Sequence, residues 1–241
     1  MSEAAVKNPG EGWLPLPATK GAGELSLPET KFSINGTELT LPVVVDTGEG
    51  SGFSLTSATW HKLLKHWTDD TRGYQLRWTP SGGNQARVAV VAKEAHLFGH
   101  TLKNVSIEED SHVSRSGDGE KLRIGLSALS SFEVLIDGVE DVLWLKPRAK
   151  AAVHAQINPS GLFPRPGADK ITLLVPEGSL AWKHGLRTDD QIVQWEHVPM
   201  KKGDIGLEMH ADIRRLLNSG QAVTLKVRRG QETIEIRVPA K

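Results

Sequence analysis

The stretch Val43-Val44-Val45-Asp46-Thr47-Gly48 decides the fold, because in it an apolar strand runs directly into a carboxylate and a glycine. Glycine permits a sharp turn at the strand end and a close approach of substrate. The threonine hydroxyl can fix the loop by hydrogen bonding. Two such carboxylates held together share one proton, so that one serves as a base on water and the other as an acid. A bare Asp-Thr-Gly triplet is also compatible with a strand-end aspartate in an Asx turn.

The residues ahead of this motif alternate between apolar and polar side chains, which is typical of half-buried β-strands. Phe32 and Ile34 alternate before Asn35-Gly36, a pair that favours a two-residue hairpin turn. The alternation resumes from Leu39 to Val45. The sequence therefore predicts a hairpin whose second strand ends at Asp46.

A second apolar block, Leu122-Arg-Ile-Gly-Leu-Ser-Ala-Leu-Ser-Ser-Phe-Glu-Val-Leu-Ile-Asp137, lies near the end of the same region. Together with the Asp46 motif, it resembles the retropepsin-like aspartic proteases over residues 30–147. The resemblance implies a closed β-barrel domain. It also implies that Asp46 is the catalytic carboxylate and that Thr47 and Gly48 form its supporting loop.

The same resemblance implies that Ile124 and Gly125 brace the catalytic loop. It further predicts a flap over the substrate, formed by Ser81, Gly82, Gly83 and Asn84. Glu49 departs from the family pattern, in which a small residue commonly follows the glycine. This third acid either shifts the working pH or points outward without effect.

The chain contains a single Asp-Thr-Gly and no Asp-Ser-Gly. One carboxylate cannot form the proton-sharing pair, so the resemblance implies a two-fold symmetric homodimer in which each copy supplies Asp46. The predicted function is that of an aspartic endopeptidase acting on polypeptides. The alternative is a non-catalytic peptide-binding scaffold with a protease-like fold.

Other kinds of catalytic site fit the sequence less well. A chymotrypsin-type serine at Ser51 needs a histidine earlier in the chain, and the first one is His61. A nucleophile elbow needs glycine where Glu49 stands. His96 and His100 lie in a predicted strand and turn, which does not align them as metal ligands. No metal site and no cofactor are expected.

The C-terminal part has a signature of its own in Val175-Pro-Glu-Gly-Ser-Leu-Ala181, followed by Gly185-Leu186 and Asp189-Asp190-Gln-Ile192. This series resembles bacterial-type PDZ domains, with His184 in place of an alanine and Asp189 in place of a glycine. The resemblance implies a small α+β domain over 161–241.

PDZ domains hold a peptide as an added strand and grip its terminal carboxylate with the amides of a glycine-rich loop. Gly161, Leu162 and Phe163 match that loop, and His210 is expected to face the groove from the second helix. Pro164 stands where a free N–H is wanted. The alternative is a structural PDZ domain with an occluded groove.

Composition sets the remaining bounds on this chain of 241 residues, which has no cysteine and equal numbers of basic and acidic residues, 29 each. No global charge attracts nucleic acid, and no apolar run is long enough to span a membrane. The compartment stays open, with export an alternative if a signal peptide has been removed.

The predicted fold class is mainly β. The predicted organisation is a flexible leader at 1–29, the protease-like domain at 30–147, a linker at 148–160 and the PDZ domain at 161–241.

Overall fold

The computed structural model describes residues 9–21, 24–65, 67, 72–79, 83–110, 119–149, 157–167, 169–196, 198–199 and 221–239. The prediction of a mainly β protein is confirmed, since the described elements are 17 strands and three short helices. No described helix has the length and apolar character that crossing a membrane requires. The strands are β1 Leu14–Pro17, β2 Thr19–Gly21, β3 Glu24–Ile34, β4 Thr37–Val45, β5 Phe53–Leu55, β6 Arg72–Thr79, β7 Gly83–Leu97, β8 His100–Glu109, β9 Leu122–Ile124, β10 Phe132–Asp137, β11 Val142–Pro147, β12 Phe163–Pro166, β13 Ile171–Leu174, β14 Gln191–Trp195, β15 Val198–Pro199, β16 Val223–Arg229 and β17 Glu232–Val238. The helices are α1 Ser57–Leu64, α2 Leu126–Leu129 and α3 Leu180–Lys183.

The chain forms two compact units that do not follow the sequence in one cut. The first unit contains Met1–Thr71 and Ala89–Gln156, and the second contains Arg72–Val88 and Ile157–Lys241. Strand β6 and the first residues of β7 therefore belong with the C-terminal part of the chain. The predicted organisation did not include this grouping.

The main sheet of the first unit has the order β2-β3-β4-β9-β5-β8-β7, and β6 follows β7 in the same order. Its first hairpin has the turn that Asn35-Gly36 predicts, with Ile34 paired to Thr37 and positive φ angles of 46° and 79° at the two turn residues. Most inward side chains of β3 and β4 are buried, including Phe32 and Val43. Helix α1 buries Trp60 and Leu63 in the same core.

A smaller sheet in this unit has the order β1-β11-β10. Strand β1 lies within residues 1–29, for which the sequence predicts a flexible leader, so the structure differs from that expectation here. The reason is local pairing: Leu14 and Leu16 stand opposite Leu145 and Leu143. Proline at positions 15 and 17 does not prevent this because β1 is an edge strand, where one row of N–H groups needs no partner.

The second unit contains a sheet of order β12-β13-β14-β16-β17, with β15 paired to β14. Its core is formed by alternating apolar residues of these strands, among them Leu173, Ile192, Leu225 and Val238. Helix α3 is capped by Ser179, whose hydroxyl accepts a hydrogen bond from the N–H of Trp182 at 3.1 Å. Most of the predicted linker, at 150–156, lies outside the described residues.

Candidate functional site

Asp46 follows β4 directly and is held at the point where three short strand segments meet. Strand β4 runs parallel to β9, and β9 runs antiparallel to β5. The backbone N–H of Asp46 donates to the carbonyl of Ile124 at 3.0 Å. The loop after Asp46 thus begins beside the end of β9, which is the part of the chain that the sequence places against it.

The Asp46-Thr47-Gly48 loop closes on itself through its first carboxylate oxygen. The N–H of Gly48 donates to Asp46 Oδ1 at 2.9 Å, as in an Asx turn. Thr47 and Gly48 are exposed and Asp46 is half-buried. The arrangement is one that a strand-end aspartate makes without any catalytic role.

Gly125 lies against the same loop and has no room for a side chain. A Cβ at this position would lie 2.8 Å from the carbonyl oxygen of Glu49 and would also clash with that of Ser51. The N–H of Gly125 donates to the carbonyl of Gly52 at 2.8 Å, and the N–H of Leu126 donates to that of Glu49 at 2.6 Å. The Asp46 loop is therefore fixed by backbone contacts with the end of β9.

The decisive contact at Asp46 is with Arg123, a residue that the sequence analysis did not select. Arg123 Nη1 lies 2.9 Å from Asp46 Oδ2. The same guanidinium contacts Asp110 Oδ2 through Nε at 3.0 Å and Glu24 Oε1 through Nη2 at 3.0 Å. Asp110 is 1% exposed and the Arg123 side chain 10%, so two of the four charged groups are buried.

Electrostatics accounts for the protonation of this guanidinium. Burial lowers the pKa of Arg123, but the hydrogen bonds and charges of Asp110 and Glu24 outweigh burial, so that the pKa lies above its usual value. Arg123 stays charged at any physiological pH. A charged residue between Leu122 and Ile124 in a buried strand was the feature that could have identified it, because a buried charge needs partners.

Glu49 points inward and takes part in a buried polar cluster. Its Oε1 accepts from Ser51 Oγ at 2.6 Å and from Ser54 Oγ at 3.3 Å. Ser54 Oγ lies 3.5 Å from Oε1 of the fully buried Glu108. Of the two alternatives for Glu49, the outward-pointing one therefore does not occur in the structure, and the side chain is part of the interior of the loop.

The remaining predicted residues of the first domain are only partly described. Ser81 and Gly82 of the predicted flap lie outside the described residues. Gly83 and Asn84 begin β7, and Gly83 has a φ of +65°. The stretch from Arg72 to Val88, which contains them, belongs to the second unit.

The described part of the chain contains neither a serine–histidine hydrogen bond nor a cluster of metal-ligating side chains. No serine hydroxyl there is hydrogen-bonded to a histidine ring, and the hydroxyl–imidazole contact that is present joins the exposed Thr101 to His96 Nδ1 at 2.8 Å. Among those same residues, no group of three or more histidine, aspartate or glutamate side chains could hold a metal ion.

In the second unit, the predicted peptide-binding residues Gly161, Leu162 and Phe163 are all buried and lead into β12. His210 lies outside the described residues. Gly161 has a φ of +71°, and a Cβ there would lie 2.5 Å from Ser179 Cβ. Only glycine fits this position because the left-handed conformation and the close neighbour both exclude a side chain.

Comparisons with known proteins give little that bears on this geometry. No family model matches the chain, and no curated protein matches it. Among solved structures, the chain is similar to one described as "HtrA-type protease AlgW with tripeptide", at 11% sequence identity and a TM-score of 0.23. The match covers 98% of this chain and 87% of the other. At that TM-score, the likeness assigns neither a fold nor a mechanism.

The prediction of an aspartic endopeptidase with paired Asp46 carboxylates in a homodimer is wrong. In the structure, Asp46 Oδ2 is bound by Arg123 and Oδ1 by the N–H of Gly48. A proton-sharing pair consists of two carboxylates, whereas the partner of Asp46 Oδ2 in the structure is a guanidinium.

Proposed function

We propose that this protein binds extended polypeptide segments through its second unit, at the end of β12 where Pro166 is exposed. The proposal develops the predicted PDZ-like module and its polypeptide partner. The observation that carries it is the position of β12, which is the outermost described strand of its sheet. The strand begins directly after the loop at residues 158–162, which contains Gly161. A strand edge of this kind is the surface to which peptides are added in β-augmentation.

The backbone pattern of β13 determines which groups of β12 face outward. Leu173 donates its N–H to Asp190 and accepts from the N–H of Asp189, so both of its backbone groups point away from β12. The flanking residues of β13 therefore point toward β12. They are opposite Phe163 and Arg165.

It follows that Pro166 directs its backbone away from β13, since backbone groups alternate in direction along a strand. Proline has no N–H, so Pro166 offers a carbonyl and no donor. Pro166 is exposed, which supports a ligand that donates a backbone N–H to this end of β12.

Peptide hydrolysis stays a prediction outside this proposal. The name of the structural neighbour describes a protease, but the described residues of this chain contain no serine–histidine pair. The Asp46 loop is stabilised by Arg123 in a way that explains its structure without turnover. Polypeptide binding needs neither group.

An N-methylation scan tests the proposal. Peptides selected from a displayed random library on the full chain are resynthesised with one backbone N-methyl group at each position in turn. If one peptide N–H donates to Pro166, methylation of that N–H lowers the affinity and methylation of its two neighbours does not. Unmethylated and side-chain-matched peptides are the controls. Uniform tolerance of N-methyl groups, or selection of no peptide at all, contradicts the proposal.

A further inference from the structure

The loop that precedes β12 has its amide groups already occupied by its own side chains. Asn158 Oδ1 accepts from the N–H of Ser160 at 3.0 Å and from the N–H of Gly161 at 3.1 Å. The same oxygen accepts from Ser160 Oγ at 2.8 Å. An amide oxygen of the chain thus accepts hydrogen bonds of the kind that a peptide carboxylate accepts from a glycine-rich loop.

The next two residues of the loop also have no donor to offer. The N–H of Leu162 donates to Ser160 Oγ at 3.2 Å, and Leu162 accepts from Asn158 Nδ2 at 2.7 Å. The backbone of Phe163 is directed at β13, as the register with Leu174 requires. Ser160 and Leu162 are fully buried. Four consecutive residues therefore present no N–H group to a ligand.

Asn158 is itself held in place by a strand from elsewhere in the sequence. The N–H of Tyr74 donates to the carbonyl of Asn158 at 2.9 Å, and the N–H of Asn158 donates back to Tyr74 at 2.7 Å. A Cβ on Gly161 would lie 3.2 Å from Cδ2 of Tyr74, so the ring covers the loop. Ser179 also packs against the loop, because the same Cβ would lie 2.5 Å from Ser179 Cβ.

We infer that Asn158 is a specificity-determining residue that excludes free C-terminal carboxylates from this site. This inference rests on the proposed function, since it states which polypeptides the β12 edge takes: internal segments, bound through their own N–H groups. A terminal carboxylate brought to the loop would find its donors occupied.

Acetate is the first probe, because it presents a carboxylate without a peptide. In amide NMR spectra of the full chain, acetate is expected to leave Ser160, Gly161 and Leu162 unshifted, and these amides are expected to exchange slowly with solvent. In Asn158→Ala, the amides of Ser160 and Gly161 lose their acceptor, and acetate is expected to shift them. Asn158→Asp is the matched control, since it keeps an acceptor oxygen in place and is expected to stay insensitive to acetate.

Peptide pairs give the second measurement. A peptide selected on the wild-type chain is compared as its free acid and its C-terminal amide, and equal affinities are expected. In Asn158→Ala, the free acid is expected to bind at least about tenfold more tightly than the amide, because charge-assisted bonds to two freed N–H groups are strong.

Three results overturn the role of Asn158: a wild-type chain that prefers the free acid, wild-type loop amides that exchange as fast as exposed ones, or acetate shifts equal in all three proteins. Failure of the proposed function would give a different set of results. In that case no peptide binds in either form, while the acetate and exchange results still decide the role of Asn158. An Asn158→Ala chain that unfolds leaves the wild-type and Asn158→Asp measurements to decide it.

Discussion

Arg123 Nη1 lies 2.9 Å from Asp46 Oδ2, and this ion pair joins two strands that run parallel to each other, β4 and β9. The remaining nitrogens of the guanidinium reach Asp110 after β8 and Glu24 at the start of β3. One side chain therefore connects four strand ends in the first unit. This relationship makes the conspicuous Asp-Thr-Gly motif a part of the framework.

Replacement of Arg123 by methionine is expected to lower the free energy of unfolding by about 3–5 kcal/mol, because it removes the guanidinium from the buried Asp110 carboxylate. Urea denaturation of the full chain measures the change. The exposed Arg228 on β16 provides the matched control, and Arg228→Met is expected to change stability by less than about 0.5 kcal/mol. Equal effects of the two substitutions would contradict the role of Arg123.

Asp46→Asn distinguishes a framework role from a role in turnover. The side chain of Asp46 is 34% exposed, and Arg123 keeps two other carboxylates when it is changed. A loss of about 1 kcal/mol or less is therefore expected, well below the loss for Arg123→Met. If Asp46→Asn lowered the free energy of unfolding by more than Arg123→Met does, the proposed order of importance of the two residues would be wrong.

Much of the fold could be predicted from local sequence. Alternation from Phe32 to Val45 and the Asn35-Gly36 turn describe a hairpin, and the structure has it with the predicted turn. The role of Asp46 could not be predicted in the same way, because it depends on Arg123, which is 77 residues away in sequence. A motif gives the residue at a strand end, but only tertiary pairing gives its neighbour.

The grouping of Arg72–Val88 with the C-terminal unit could not be predicted either, because it also depends on tertiary pairing. Its described link to Asn158 is a pair of backbone hydrogen bonds with Tyr74, and backbone bonds leave little trace in side-chain composition. Asn158-Pro159-Ser160 does carry a local indication, since an Asn-Pro pair favours turn initiation. These three residues lie in the predicted linker, 148–160, where a turn of this kind is not expected to belong to a folded domain.

Gly125→Ala is expected to destabilise the first unit by about 1–3 kcal/mol or more, because the new methyl group meets the backbone of the Asp46 loop. Gly50 is a matched control in that loop, since a Cβ there meets nothing within 4 Å. Thermal unfolding of both variants separates the steric effect from the general effect of replacing glycine. Equal stability of the two variants would contradict the close contact of Gly125 with the Asp46 loop.

Tyr74 is the only tyrosine in the chain, so its ionisation can be followed without interference from another tyrosine. Burial raises the pKa of Tyr74 above its ordinary value of 10.0. Because the folded state binds this proton more tightly, the stabilising contribution is full below that value and is lost as pH rises through the higher folded pKa. Tyrosinate absorbance is expected to develop at higher pH in the folded chain than in urea. Coincident folded and unfolded titrations would show that the ring does not pack as described.

Pro166→Ala is expected to tighten peptide binding by about two- to tenfold, if peptides pair with β12 as proposed. The substitution adds a backbone N–H at the open edge, where a ligand carbonyl faces it, and one hydrogen bond contributes about 0.5–1.5 kcal/mol. Pro166 is exposed, so little packing is lost. Fluorescence anisotropy with a library-selected peptide measures the change.

Pro176→Ala is the matched control because Pro176 lies outside β12 and keeps its carbonyl bond to the N–H of Ser179. A gain at Pro166 alone supports pairing at this edge. An unchanged or weaker affinity places the peptide elsewhere, since a new donor on an edge that the ligand uses has no reason to weaken its binding.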